Sequence, residues 1–138
     1  MTKDLWINLP VKDVAISKAF FTNLGFTLNT NYGNSADSAS FLVGSKNIVL
    51  MLFAEAIFKG FTRAGIADTK QGSEVLFSFD AESREEVDEM AKRVEAAGGT
   101  IFGKPSDVQG WMYGCGFTDP DGHRWNVLHM DMSKMPKG

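Results

Sequence analysis

The chain has 138 residues, of which 43% are hydrophobic and 22% charged, with a net charge of −3 and a pI near 5.3. This length fits one globular domain with a buried core, and the acidic balance argues against nucleic acid or an anionic membrane as the main partner. Cys115 is the single cysteine, so no internal disulfide can form and a reducing, cytoplasmic setting is expected. The sequence shows no apolar leader and no run near about 18 apolar residues, so we expect neither a signal peptide nor a transmembrane helix.

The first half of the chain predicts a strand, a helix and three further strands. Period-two alternation indicates the strands, whereas Ile16, Phe20 and Leu24 recur at the spacing of one helix face. Asp13 is a candidate N-cap for this helix and Gly25 a candidate stop. The predicted elements are a strand over 5–11, a helix over 13–25, a strand over 26–31, and a hairpin of strands over 38–43 and 47–53.

Residues 54–73 interrupt this pattern. The segment contains Phe58 and Phe61 together with three glycines, and it predicts a short helix followed by a mobile loop. A long irregular insert in a compact domain is often a lid or a ligand-binding loop. An equally good interpretation is a plain connector that packs its two phenylalanines.

The second half repeats the order of the first. Ser83 and Glu86 have the spacing of a capping box at the start of a helix, and Gly98-Gly99 ends that helix. The predicted elements are a strand over 74–79, this helix, a strand over 100–102 stopped by Gly103, strands over 111–118 and 123–130, and a loose tail over 132–138. The chain is therefore an α+β protein, one domain over 1–138 made of two βαβββ modules at 5–53 and 74–130.

A helix must cover one face of each sheet, so the two faces of a strand should differ in polarity. The more apolar rows are predicted to face the helices: Ile7, Leu9 and Val11; Val75, Phe77 and Phe79; and Trp125, Val127 and His129. The opposite rows mix aromatic, amide, carboxylate and aliphatic side chains, which suits a pocket with a few orienting polar groups. These rows are Trp6 and Asn8; Glu74, Leu76 and Ser78; and Arg124, Asn126 and Leu128.

Three further candidates each allow two interpretations. Trp111 and Tyr113 share the face of Cys115, where they either stack on a flat ligand or pack in the core. The Glu74 carboxylate could act as a general base or bind a cation inside an apolar pocket. Its other interpretation is an ion pair with Arg124, or a position at the rim.

The doubled element order, with INLPVKDVAISKAFFTNLGF at 7–26 and GFTDPDGHRWNVL at 116–128, resembles the vicinal oxygen chelate superfamily. That superfamily includes glyoxalase I, extradiol dioxygenases, fosfomycin-resistance enzymes and bleomycin-resistance proteins. The resemblance covers roughly the whole chain. It implies that the sheets of two modules form a cup-shaped half-barrel, often across a homodimer. It also implies a divalent metal in the cup that chelates two neighbouring substrate oxygens.

The metal-ligand positions of glyoxalase-like members, carried over by resemblance, fall on Trp6, Leu50, Glu74 and Asn126. Trp6 lies three residues before the leucine of L-x-V-x-D, and Asn126 lies four residues after the glycine of D-P-D-G. Only Glu74 is a good hard-metal ligand, because the Asn126 amide is neutral and a weaker donor. A catalytic Zn²⁺, Ni²⁺ or Fe²⁺ needs about three protein ligands. The sequence therefore predicts no metal and no other cofactor.

The sequence supports two functions. We favour metal-free binding of a small hydrophobic or aromatic molecule by a homodimer. The residues of the predicted pocket are Trp6, Leu50, Leu52, Leu76, Trp111 and Tyr113 as walls, and Asn8, Glu74 and Asn126 as polar anchors. The alternative is an enzyme, either a lyase or isomerase similar to lactoylglutathione lyase with an unusual metal site, or an acid–base catalyst that uses Glu74.

Overall fold

The structure is a computed structural model that describes residues 1–136, and the chain divides into two compact units at Asp68 and Thr69. The first unit contains β1 (Trp6–Val11), α1 (Val14–Asn23), β2 (Thr27–Leu28), β3 (Ser38–Val43), β4 (Ile48–Ala54) and α2 (Glu55–Thr62). The second contains β5 (Leu76–Asp80), α3 (Arg84–Ala96), β6 (Thr100–Val108), β7 (Met112–Thr118) and β8 (Arg124–Met130). The predicted α+β class and the repeated element order are confirmed. None of the helices within 1–136 is long and apolar enough to cross a membrane.

The first unit is a four-stranded sheet in the order β1-β4-β3-β2, in which β1 runs parallel to β4. The Asp13 side chain accepts a hydrogen bond from the Ile16 amide at 3.1 Å, which confirms the predicted N-cap of α1. This helix buries Val14, Ser17, Phe20 and Phe21. Ile16 was predicted on the buried stripe but is 56% exposed, because the buried face advances by three or four residues from Val14 rather than from Ile16.

The second unit repeats this plan with the order β5-β8-β7-β6 and β5 parallel to β8. The Ser83 hydroxyl caps α3 by accepting from the Glu86 amide at 3.1 Å. The Glu86 carboxylate reaches back to the Glu82 amide at 2.8 Å, one residue earlier than a standard capping box. The core beneath α3 consists of Ala81, Val87, Ala91, Cys115 and Val127.

Two features of the second unit differ from the sequence prediction. The strand predicted over 100–102 continues through Gly103 and Pro105 to Val108. Proline is tolerated there because β6 is an edge strand whose pairing with β7 is interrupted by two register shifts. Part of the predicted tail is a 3₁₀ helix, Met132–Lys134, while its last residues, 137 and 138, lie outside the described residues.

The Asp-Pro-Asp-Gly turn between β7 and β8 is held by a buried carboxylate. Asp119 is 4% exposed, and its Oδ1 atom accepts from the amides of Asp121 and His123, both at 3.0 Å. Its Oδ2 atom accepts from the Trp125 indole at 3.1 Å. Gly122 completes the turn at a φ of 87°, where a side chain would be strained. The carboxylate therefore fixes the start of β8.

We expect Asp119→Ala to lower the free energy of unfolding by about 3 kcal/mol, because three donors lose a charged acceptor in a buried setting. Asp119→Asn, the matched control, keeps one acceptor oxygen and should lose about half as much. Urea unfolding followed by tryptophan fluorescence measures both values. A loss below about 0.5 kcal/mol for the alanine variant would contradict this role of the carboxylate.

Candidate functional site

A pocket of about 420 Å³ lies in the first unit, on the sheet face opposite α1. Its lining residues are Trp6, Asn8, Phe53, Phe58, Phe61 and Thr62. The strands β1 and β4 supply three of them and α2 supplies the other three. The pocket is therefore formed where the connecting segment after β4 folds against the sheet.

The register of β1 and β4 decides which strand residues reach the pocket. Asn8 pairs with Met51 and Pro10 with Phe53, and paired residues on parallel strands point to the same face. Trp6 and Asn8 consequently share a face with alternate residues of β4 that end at Phe53. The predicted grouping of Trp6 with Asn8, opposite the apolar row of β1, agrees with this register.

The helix α2 provides the second wall. It begins directly after β4 and contacts both β1 and β4. Phe58 and Phe61 are three residues apart and so lie on one side of the helix. The Phe61 ring packs edge-on against Phe53 with centroids 5.0 Å apart. Residues 54–73 were predicted to contain a short helix, and this helix is confirmed.

The pocket walls are aromatic, largely exposed and uncharged. The exposed fractions of Trp6 and Phe61 are 58% and 65%, although both side chains are large and apolar. Asn8 and Thr62 are the polar lining residues, and no ionisable side chain is among the lining residues. A concave apolar surface with a few polar groups is typical of a small-molecule site, and the volume falls in the usual range.

Two predicted wall residues lie on the wrong face for this pocket. Leu50 pairs with Ile7 and Leu52 with Leu9, so both point toward the α1 side of the sheet. Both are buried in the core, with exposed fractions of 1% and 0%. The prediction that Leu50 and Leu52 line the pocket is therefore wrong, and Phe53 takes their place.

The rows of the second unit match the predicted faces. Phe77 pairs with Trp125 on the α3 side, whereas Leu76 pairs with Arg124 and Ser78 with Asn126 on the opposite side. His129 belongs to the α3 side, and its Nδ1 atom lies 3.1 Å from the carbonyl oxygen of Ala81. Leu76 and Asn126 therefore share a sheet face, as predicted.

Tyr113 lies on the α3 side of the sheet, Glu74 is exposed, and neither lines the first-unit pocket. Tyr113 pairs with His129 on the α3 side, and its hydroxyl donates to the Asp88 carboxylate at 2.6 Å. Arg84 lies over its ring at 4.9 Å, so Tyr113 belongs to the packing around α3. Glu74 is exposed and lies in a bend before β5, so the expected apolar surroundings are absent.

Trp111 and Arg124 also depart from their predicted roles. Trp111 precedes β7, is half-buried, and does not line the first-unit pocket. Its Nε1 atom is shielded from solvent with no hydrogen-bond partner among residues 1–136. The predicted pair between Glu74 and Arg124 does not form, because the Arg124 guanidinium instead lies over the Phe102 ring at 4.5 Å.

The resemblance to vicinal oxygen chelate proteins implies a divalent metal, so the donor atoms at the carried-over positions matter. Trp6 and Leu50 carry no metal-binding atom, and Leu50 points toward α1. Asn126 lies beside Ser78, whereas Glu74 lies four residues before Ser78, in a bend outside β5. Residues 1–136 contain no group of three His, Cys, Asp or Glu side chains that could hold a metal ion. These donors do not fit a catalytic divalent metal, which needs about three such ligands.

Cys115 lies in the core beneath α3. Its strand partner is Val127, and the thiol side chain is buried with an exposed fraction of 3% for the residue. Burial raises the pKa of the Cys115 thiol to about 11, and the nearby carboxylates of Glu95 and Asp88 act in the same direction. The cysteine therefore packs in the core and is not an activated nucleophile.

Sequence comparison identifies the family to which these features belong. The model of the Glyoxalase/Bleomycin resistance protein/Dioxygenase superfamily matches residues 5–127. This match includes every strand of both units except the last three residues of β8. The comparison with curated proteins gave no match.

Solved structures share the fold over nearly the whole chain. A hypothetical protein from S. aureus is 30% identical, with 94% of this chain and 95% of that chain covered and a TM-score of 0.82. A fosfomycin resistance protein from Listeria monocytogenes is 24% identical, with 94% and 93% covered and a TM-score of 0.66. Lactoylglutathione lyase from Agrobacterium tumefaciens is 20% identical, with 98% of both chains covered and a TM-score of 0.68. The last two show similarity of fold alone.

We expect the native Cys115 thiol to resist alkylation. With a pKa of about 11, its thiolate fraction at pH 8 is lowered relative to an unfolded cysteine by about 100-fold, and burial slows access further. Iodoacetamide labelling of native and urea-unfolded protein, followed by mass spectrometry, measures both rates. Native labelling at nearly the unfolded rate would contradict the buried position, and Cys115→Ala gives the background.

Proposed function

The chain belongs to the Glyoxalase/Bleomycin resistance protein/Dioxygenase superfamily, and we propose that it binds a small, uncharged aromatic or hydrophobic molecule without a metal ion. The observation that supports this proposal is the pocket of about 420 Å³ between β1, β4 and α2. Its aromatic walls favour a flat ligand. Its lack of an ionisable lining residue favours a ligand without net charge.

The exposed rings supply the affinity in this proposal. A ligand that covers about 100 Å² of apolar surface on Trp6 and Phe61 would gain about 2.5 kcal/mol from that burial. The Asn8 amide can both donate and accept hydrogen bonds, and the Thr62 hydroxyl can do the same. These two groups would orient a ligand that carries one or two polar atoms.

The enzyme alternative finds no support among the described residues. Glu74 is exposed and does not line the pocket, so it is not placed beside a ligand bound there. The donor atoms at the carried-over metal positions do not form a ligand set. Two of the similar structures are a lyase and a resistance protein. Their sequence identities of 20% and 24% support a shared fold but do not support a shared reaction.

We expect indole and 2-naphthol to raise the melting temperature of the protein, because a pocket ligand stabilises the folded state. Trp6→Ala and Phe61→Ala should weaken binding of both probes by about tenfold or more, the loss expected for one aromatic contact. Tyr32→Ala is the matched control, because Tyr32 is an aromatic residue of similar exposure, 60%, outside the pocket. Differential scanning fluorimetry and titration calorimetry provide the two readouts.

Unchanged affinity in both Trp6→Ala and Phe61→Ala would place the ligand elsewhere and remove the pocket proposal. Elemental analysis of protein purified without chelators tests the metal-free part separately. One bound metal per chain, with loss of probe binding on chelation, would contradict it.

We also propose a cytoplasmic homodimer. The dimer follows the expectation from the superfamily, and it would cover apolar side chains such as Leu5 and Met132, which are 76% and 63% exposed in the single chain. The single cysteine supports a reducing compartment. Sedimentation equilibrium should give twice the chain mass of 15.1 kDa, and a species of 15.1 kDa at micromolar concentration would contradict the dimer.

A further inference from the structure

The second unit has a sheet face that the first-unit pocket does not use. This face lies opposite α3 and carries Leu76 beside Arg124, and Ser78 beside Asn126. Gly116 is the neighbour of Asn126 on the other side, in β7. The face therefore places a cation, an amide and a hydroxyl on adjacent strands.

The guanidinium of Arg124 is positioned by an aromatic ring. It lies over Phe102 at 4.5 Å from the ring centroid. Phe102 in turn occupies the space above Gly116, because a Cβ atom at Gly116 would approach the Phe102 ring to 2.5 Å. The missing side chain at Gly116 thus lets Phe102 lie against the sheet and support the arginine.

Arg124 has no carboxylate partner within residues 1–136. Arg84 pairs with Asp107, Arg93 with Glu89 and Lys134 with Asp131, and none of these ion pairs involves Arg124. Asp80, the acidic residue on the same sheet face, pairs with Leu128 and lies four residues beyond Leu76. The N–H donors of a stacked guanidinium remain free to bind a carboxylate edge-on, with two parallel hydrogen bonds.

Asn126 adds the complementary acceptor. Its Oδ1 atom is shielded from solvent and has no hydrogen-bond partner among residues 1–136. Buried polar atoms are nearly always paired, so an unpaired acceptor calls for a partner. Arg124 and Asn126 are two residues apart on β8 and point to the same face, about 6.6 Å from one Cα to the other.

We propose that Arg124 and Asn126 form a binding site for a small carboxylate that also carries an O–H or N–H donor. The carboxylate binds the guanidinium of Arg124, and the donor binds Oδ1 of Asn126. The apolar part of the ligand covers Phe102 and Leu76, which are 50% and 53% exposed. This site is separate in its residues from the first-unit pocket and does not depend on the function proposed for that pocket.

Three related probes separate the two contacts. The first is 4-hydroxybenzoate, which has both groups; benzoate lacks the donor, and 4-hydroxybenzamide lacks the charge. Calorimetry on the wild-type protein should show 4-hydroxybenzoate binding more tightly than 4-hydroxybenzamide by about tenfold or more, since a carboxylate–guanidinium pair is a charge-assisted contact. It should also bind more tightly than benzoate.

Four variants test the residues. Arg124→Gln should weaken the binding of 4-hydroxybenzoate by about tenfold or more. Arg124→Lys should weaken this binding less, because lysine keeps the positive charge but lacks the two parallel N–H donors of the guanidinium. Asn126→Ala should remove the preference over benzoate and leave benzoate affinity unchanged. Arg93→Gln, which removes an exposed arginine on α3, is the matched control and should change nothing. Melting temperatures check that each variant is folded.

The proposal is overturned if Arg124→Gln and Arg124→Lys both retain wild-type affinity for 4-hydroxybenzoate. It is also overturned if Trp6→Ala abolishes binding of this probe while Arg124→Gln does not, since the probe would then occupy the first-unit pocket. Equal affinity for 4-hydroxybenzamide would show that the charge is not recognised. Retention of indole binding in Arg124→Gln keeps this test distinct from that of the first-unit pocket.

Discussion

In each unit the first strand lies parallel to the last strand of the same module, β1 beside β4 and β5 beside β8. Paired residues on parallel strands point the same way, so one pairing fixes the face of every other residue in both strands. Leu9 beside Leu52 and Phe79 beside Val127 define the two buried faces. A register shift of one residue would exchange those faces and turn the core side chains to solvent.

The face of each strand residue could be predicted from the sequence for some strands but not for others. In β5 and β8 large apolar residues alternate with polar ones, and the faces of Phe77, Ser78 and Asn126 followed from that alternation. The run over 48–53 is apolar at every position, so periodicity gave it no face, and Leu50 and Leu52 were placed on the pocket side in error. Only the pairing with β1, a long-range contact, resolves such a strand. The pocket contribution of Phe53 was missed, whereas Phe58 and Phe61 lay in the segment over 54–73, for which a ligand-binding loop and a plain connector were equally good interpretations. How α2 packs on the sheet, a long-range contact, decides between them.

Residues that mark the ends of elements predicted the helix starts correctly but the end of one strand incorrectly. Asp13 and Ser83 both cap helices, as their residue types and spacing indicate. Gly103 was interpreted as the end of a strand, yet β6 continues through it and through Pro105 at the sheet edge. Proline lacks a backbone N–H, so it removes a sheet hydrogen bond only where that N–H would face an adjacent strand. The same residue type therefore ends a central strand and is harmless in an outer one.

The helix α2 supplies three of the six lining residues of the pocket, and none of its side chains is buried. It also lies between the two βαβββ modules in the chain, outside the core of either. Substitution of its side chains therefore changes one wall of the pocket without removing a buried residue of α2. Divergence among descendants of one ancestor at such a segment would change the shape of the pocket rather than the core of either sheet, so a library that tests the proposed ligand binding would best be placed there.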